Sequence, residues 1–154
     1  MIISNNDLKA EISEKGAHLD SLRFKGKSVL LENYDDYPSH YGSAFLFPYA
    51  GRVKDAIYPF DGVYYELPKN DGENSIHGLV LDKIFSFRKP DESSATLSYI
   101  LQDEGYPSIL SVDVKFRISD NSLITDVEAK NEGQKPAPIL IGFHPYFDYG
   151  GSWV

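Results

Sequence analysis

No window of a dozen residues in this 154-residue chain keeps apolar side chains at i, i+3, i+4 and i+7 without an intervening Gly or Pro. The core must therefore come from strands, because amphipathic helices have no sequence basis here. Short alternating segments supply them. Residues 8–12 are apolar at 8, 10 and 12, and residues 18–24 follow the turn-prone Lys15-Gly16. Lys25-Gly26-Lys27 reads as a tight turn into residues 28–31. Residues 56–60 and 63–67 flank Asp61-Gly62, a pair suited to the positive φ that a type I′ hairpin turn requires. Further strands are expected over 85–88, 96–101, 111–118, 123–129 and 139–143, with a turn at Asp120-Asn121. About ten short strands separated by turns predict an all-β, antiparallel β-sandwich or barrel. No repeat, low-complexity segment or linker interrupts the chain, so residues 1–154 read as a single domain.

Two long irregular stretches, 32–44 and 69–83, remain. Loops of that length in a compact domain are usually functional or disordered, and the Arg52, His77 and aromatic residues at or beside these two favour function. Composition narrows the functions. Fifteen Lys and Arg against 23 Asp and Glu leave a net charge of −8, which repels phosphate backbones and anionic membrane surfaces. No nucleic-acid or membrane partner is expected. The chain has no cysteine, so disulfides and thiolate chemistry are excluded. With no leader pattern at Met1 to Asp7 and no apolar run of 18 residues, the expected location is cytoplasmic.

Four segments stand out: Phe47 to Val53 (FPYAGRV), Asn70 to Gly78 (NDGENSIHG), Asp103 to Pro107 (DEGYP) and Gly142 to Phe147 (GFHPYF). None is a phosphate loop, a nucleophile elbow or a helical zinc motif. The chain has four histidines. His18 lies in a strand pattern and His40 in a polar loop, and both read as structural. His77 and His144 sit in Gly- or Pro-flanked settings at strand ends. Taken alone, each would more often be structural than chemical, and Arg52 more often a surface ion-pair partner.

Together and in this order, Gly51-Arg52, the Asp61-Gly62 hairpin with Tyr65-Glu66-Leu67-Pro68, Asn74-Ser75-Ile76-His77-Gly78, Asp103 to Pro107 and Phe143-His144-Pro145-Tyr146-Phe147 resemble the aldose 1-epimerase (galactose mutarotase) family. The His-Pro-Tyr-Phe form is most similar to its aldose-epimerase-like, hexose-phosphate mutarotase branch. The resemblance runs from about residue 8 to residue 147. It implies a β-supersandwich with a sugar cleft on one face, and an isomerase that interconverts the α and β anomers of an aldose or aldose phosphate. It implies that Arg52 binds substrate hydroxyls, that His77 positions the sugar near its ring oxygen, and that His144 is the general acid. It places Asp103 and Tyr146 among the substrate contacts. No metal or organic cofactor is implied.

The family's general base is a glutamate in the C-terminal half of the fold, and no residue here matches it. The chain therefore resembles the N-terminal half of a family member. Three expectations follow: a portion of a longer epimerase, a chain completed by a complementary C-terminal half or by a homo-oligomer, or a carbohydrate-binding β-sandwich without turnover. Asp71, Glu73 and Asp148 are nearby carboxylates, each more simply read as a solvated turn residue. Tyr34, Tyr37, Tyr41, Phe45, Phe47 and Tyr49 offer stacking surfaces or core. Lys54 and Lys69 are the cations nearest the motifs after Arg52.

Overall fold

The computed structural model describes residues 1–32, 37 and 39–150. The stacking candidate Tyr34 lies outside the described residues. In chain order the strands are β1 (Ile2–Ser4), β2 (Leu8–Ile12), β3 (Leu19–Phe24), β4 (Lys27–Ser28), β5 (Ser43–Leu46), β6 (Arg52–Val53) and β7 (Ile57–Phe60). Then come β8 (Val63–Glu66), β9 (Ser75–Ile76), β10 (Ser86–Asp91), β11 (Ser94–Leu101), β12 (Leu110–Ser119), β13 (Ser122–Asn131) and β14 (Gly142–Pro145). Among the described residues the one helical element is a 3₁₀ turn at Lys54–Ala56, and no helix is long and apolar enough to cross a membrane.

All named strand pairs are antiparallel. One sheet runs β1-β2-β3-β5-β14, with β4 paired to β3, and a second runs β10-β11-β12-β13. The fold is an antiparallel β-sandwich. Period-two alternation explains why. On β12, Leu110, Val112, Val114, Phe116 and Ile118 are buried while the residues between them are not. On β2, Leu8, Ala10 and Ile12 point inward in the same way. These two rows belong to one hydrophobic cluster with Phe45, Phe47 and Leu97, so each sheet buries its apolar face against the other. Between the sheets, the Ser4 N–H donates to the Glu92 carbonyl at 2.7 Å.

The local turn signals are realised. Asp61 and Gly62 have φ of 49° and 74°, the two positive values a type I′ turn needs, and they join β7 to β8. Asp120 (φ 51°) turns β12 into β13. Elsewhere the structure corrects the sequence expectation. The strand expected over 139–143 is displaced to Gly142–Pro145, and Ile139, Leu140 and Ile141 are largely exposed non-strand residues. Apolarity alone suggested them, but the register is set by pairing with β5, Gly142 opposite Leu46 and Pro145 opposite Ser43. The strand expected over 28–31 shrinks to Lys27–Ser28. β5 falls at the end of the expected loop 32–44. All four of its residues are buried, so it shows no alternation to read.

Candidate active site

β5 leads through Phe47 and a cis Pro48 to Gly51 (φ 77°), which turns the chain into β6 and Arg52. β6 pairs with β9, with Arg52 opposite Ile76. His77 follows directly. It adopts φ 65° and donates its backbone N–H to the Gly51 carbonyl at 3.0 Å. Gly78 forms a parallel bridge with Phe47, and the Leu79 N–H donates to the Phe47 carbonyl at 2.8 Å. The Asn70 side chain braces the same strand, accepting from the Ile76 N–H at 2.7 Å and donating to its carbonyl at 3.0 Å.

His144 arrives on β14, opposite Ala44 of β5. The chain beyond it is tied down by the Tyr146 N–H to the Gly42 carbonyl (2.9 Å) and the Leu31 N–H to the Tyr146 carbonyl (2.8 Å). His77 and His144 thereby meet edge to face, with ring centroids 5.2 Å apart at 68°. Tyr146 stacks on His144 at 5.1 Å and 26°. The Nδ1 atoms of both histidines are buried with no hydrogen-bond partner among the described residues. Buried polar atoms are nearly always satisfied, so two unpaired imidazole nitrogens on neighbouring rings single this pair out as a candidate site.

These groups line a cavity of about 330 Å³, at the lower end of the roughly 300–1,000 Å³ typical of small-molecule sites. Arg52, Asp71, Asn70, Ile76, Ser39, Tyr37 and His40 complete the lining. Arg52 Nε donates to Asp71 Oδ2 at 2.5 Å. Burial pushes the His77 pKa below its ordinary value of 6.5. The neighbouring His144 and Arg52 push the same way, and Asp71 partly opposes them. His77 is thus held neutral at neutral pH, able to donate a hydrogen bond from one nitrogen and accept at the other. Among the described residues no group of three His, Asp or Glu side chains is arranged to hold a metal ion.

The structure gathers Arg52, His77, His144 and Tyr146 into this cavity. Asp103 is placed elsewhere. Its Oδ1 accepts the Gly105 N–H at 2.8 Å, and it lines a neighbouring cavity of about 280 Å³ with Lys15, Asp82 and Lys83. Of the three nearby carboxylates only Asp71 reaches the His77–His144 cavity. Glu73 is paired with Lys69 at 2.6 Å, and Asp148 accepts the Gly150 N–H at 3.0 Å. His18 is buried, bonded to Asp20 Oδ1 (2.9 Å) and the Tyr41 carbonyl (3.1 Å), in keeping with a structural role. His40, in sequence a structural loop residue, lies on the cavity wall beside Tyr37 at 4.8 Å. No local signal in its polar surroundings points there. Asn70 carried such a signal, since it opens the motif that ends at His77 and Gly78.

Across residues 1–152 the sequence matches the pattern of the aldose 1-epimerase family. The chain belongs to the aldose 1-epimerase family. Among its relatives, galactose mutarotase of Bos taurus is 25% identical over 163 residues, covering 97% of this chain and 47% of the relative. The uncharacterized protein YihR of Escherichia coli is 28% identical over 149 residues, covering 94% and 48%. A galactose mutarotase-like protein from Lactobacillus casei superposes with a TM-score of 0.85 over 97% of this chain and 50% of that one, at 24% identity, a likeness of fold. The aldose epimerase homologue of C. elegans gives 0.80 at 26% identity, over 99% and 51%. The fold is thus galactose mutarotase-like, and this aldose 1-epimerase family chain spans about half the length of the curated relatives it matches.

Proposed function

We propose that this chain carries the acid-and-binding side of a mutarotase site, which interconverts the α and β anomers of an aldose by ring opening. One observation carries the reading: His77 and His144, distant in sequence, meet with ring centroids 5.2 Å apart on the lining of a cavity that also holds Arg52.

The chemistry follows from those groups. A base removes the proton of the anomeric hydroxyl while His144 gives a proton to the ring oxygen. The C1–O5 bond breaks, C1 becomes an aldehyde carbon, and the former ring oxygen becomes a hydroxyl. Rotation about C1–C2 presents the other carbonyl face. The hydroxyl then attacks it, returning its proton to His144, and O1 takes a proton back from the base. Neutral His77 and the Arg52 guanidinium donate hydrogen bonds to the sugar, orienting it and stabilising charge that develops on oxygen.

The base is proposed to come from a complementary C-terminal half of the fold. Support comes from relatives about twice as long as this chain and from β14, which carries His144 at the end of its sheet. The adjoining stretch exposes Leu140, Phe143, Phe147 and Tyr149, an apolar surface of the kind that packing covers. A homo-oligomer would cover the same surface. A neutral aldose is favoured over a phosphorylated one. Among the described lining residues Arg52 is the one permanent cation, and it is already paired with Asp71. Lys54 and Lys69 do not line the cavity. The proposed place of action is the cytoplasm, consistent with a cysteine-free chain.

The test is mutarotation of freshly dissolved α-glucose and α-galactose by polarimetry, wild type beside His144→Ala. Acceleration that disappears in the variant supports the reading. One observation favours binding without turnover: the sole carboxylate of the described cavity lining, Asp71, is engaged by Arg52. Sugar binding with no acceleration, even with a complementary half supplied, selects that second reading.

A further inference from the structure

The turn from Asn70 to Asn74 contributes more than a connection. Asp71 and Asn74 form a bridge, with the Asn74 N–H donating to the Asp71 carbonyl at 3.0 Å and the Asp71 N–H returning to the Asn74 carbonyl at 3.2 Å. Asn70 clamps Ile76 by both of its amide atoms, and Ile76 is the residue directly opposite Arg52 across β6 and β9. The backbone that holds Asp71 is therefore fastened to the strand pair that holds Arg52. Across that frame Arg52 Nε donates to Asp71 Oδ2 at 2.5 Å.

Stability does not account for this pair. The two side chains are 56% and 35% exposed, and ion pairs so open to water contribute little to folding. Orientation does account for it. A guanidinium has five N–H donors, one on Nε and four on the two Nη atoms. A carboxylate that takes Nε restrains the direction of the group and does not use the four Nη donors. An arginine on an exposed two-residue strand would otherwise sample many rotamers, and ordering it on ligand binding would weaken the affinity.

We propose that Asp71 is a positioning residue of the site, its carboxylate holding Arg52 through Nε so that the remaining guanidinium N–H groups meet the hydroxyls of a sugar bound against His77 and His144. The proposal rests on the sugar-site reading above. It assigns Asp71 no proton transfer.

The experiment compares wild type with Asp71→Ala and Asp71→Asn, with folding confirmed by circular dichroism. In the free proteins, the Arg52 Nε–H resonance is followed by ¹⁵N NMR. It should be protected from solvent exchange in wild type, lose that protection in Asp71→Ala, and keep part of it in Asp71→Asn. Titration with galactose and glucose should show affinity about tenfold weaker in Asp71→Ala, with partial recovery in Asp71→Asn, because the amide oxygen still accepts a hydrogen bond. Where mutarotation is measurable, KM should rise about tenfold while kcat stays within about threefold, the signature of lost binding rather than lost chemistry.

A collapse of kcat at unchanged KM would make Asp71 a proton acceptor and overturn the positioning role. An Arg52 signal indifferent to Asp71→Ala would overturn it too. Binding that is present in wild type and unaltered in Asp71→Ala overturns the positioning role alone. A wild type that binds neither sugar overturns both it and the sugar-site reading.

Discussion

Gly78 lies so close to the backbone of Phe47 that a Cβ at position 78 would stand 2.3 Å from the Phe47 carbonyl oxygen and 2.7 Å from its nitrogen. Its φ of 88° is also one that L side chains rarely adopt. This contact sets where the chain leaves His77. Gly78→Ala should lower stability by about 1–3 kcal/mol and displace His77, because strain at a left-handed position adds to a clash with backbone that cannot rotate away. Urea denaturation reads the first effect and sugar affinity the second. An unchanged midpoint would show that the Phe47 segment yields easily.

Tyr146 orders His144 by stacking on it at 5.1 Å. Tyr146→Ala should cost about 0.5–1.5 kcal/mol beyond the area it buries, while Tyr146→Phe keeps the ring and most of that term. Thermal denaturation of the two variants separates them. Equal losses would assign the effect to the hydroxyl instead.

His77 predicts a pH dependence. Its pKa in the folded protein is below the ordinary 6.5, because burial, His144 and Arg52 all disfavour the charge. As pH falls through 6.5 the unfolded chain takes up the proton first. The unfolded state then binds more protons, so stability decreases as pH drops in that window and is complete above it. The stability difference between wild type and His77→Gln should therefore change between pH 7.5 and pH 5. A constant difference would mean that His77 is not held neutral by the fold.

Leu97 is fully buried at the centre of β11, opposite Val114 of β12. Leu97→Ala should destabilise by roughly 2–5 kcal/mol through lost burial and the cavity left behind. Chemical denaturation measures it. A cost below about 1 kcal/mol would show that the two sheets close on the gap.

What the sequence determined on its own was everything that depends on near neighbours. The Asp61-Gly62 and Asp120-Asn121 turns need particular φ angles, and few residue types supply them. The alternation on β2 and β12 needs only one buried face. The family could be read from motifs because Arg52, His77, His144 and Tyr146 each sit in a short, recognisable segment. Tertiary structure decided the rest, because it depends on pairing between distant segments. β5 is buried on both faces and shows no period. β14 takes its register from β5 rather than from the apolar run 139–141 that precedes it. His40 lies on the cavity wall, a position its local sequence does not announce. The turn carboxylate Asp71 acquires a partner only because β6 and β9 lie side by side. The edge-to-face contact of His77 and His144 likewise exists only once the β5–β14 pairing has brought the two ends of the site together.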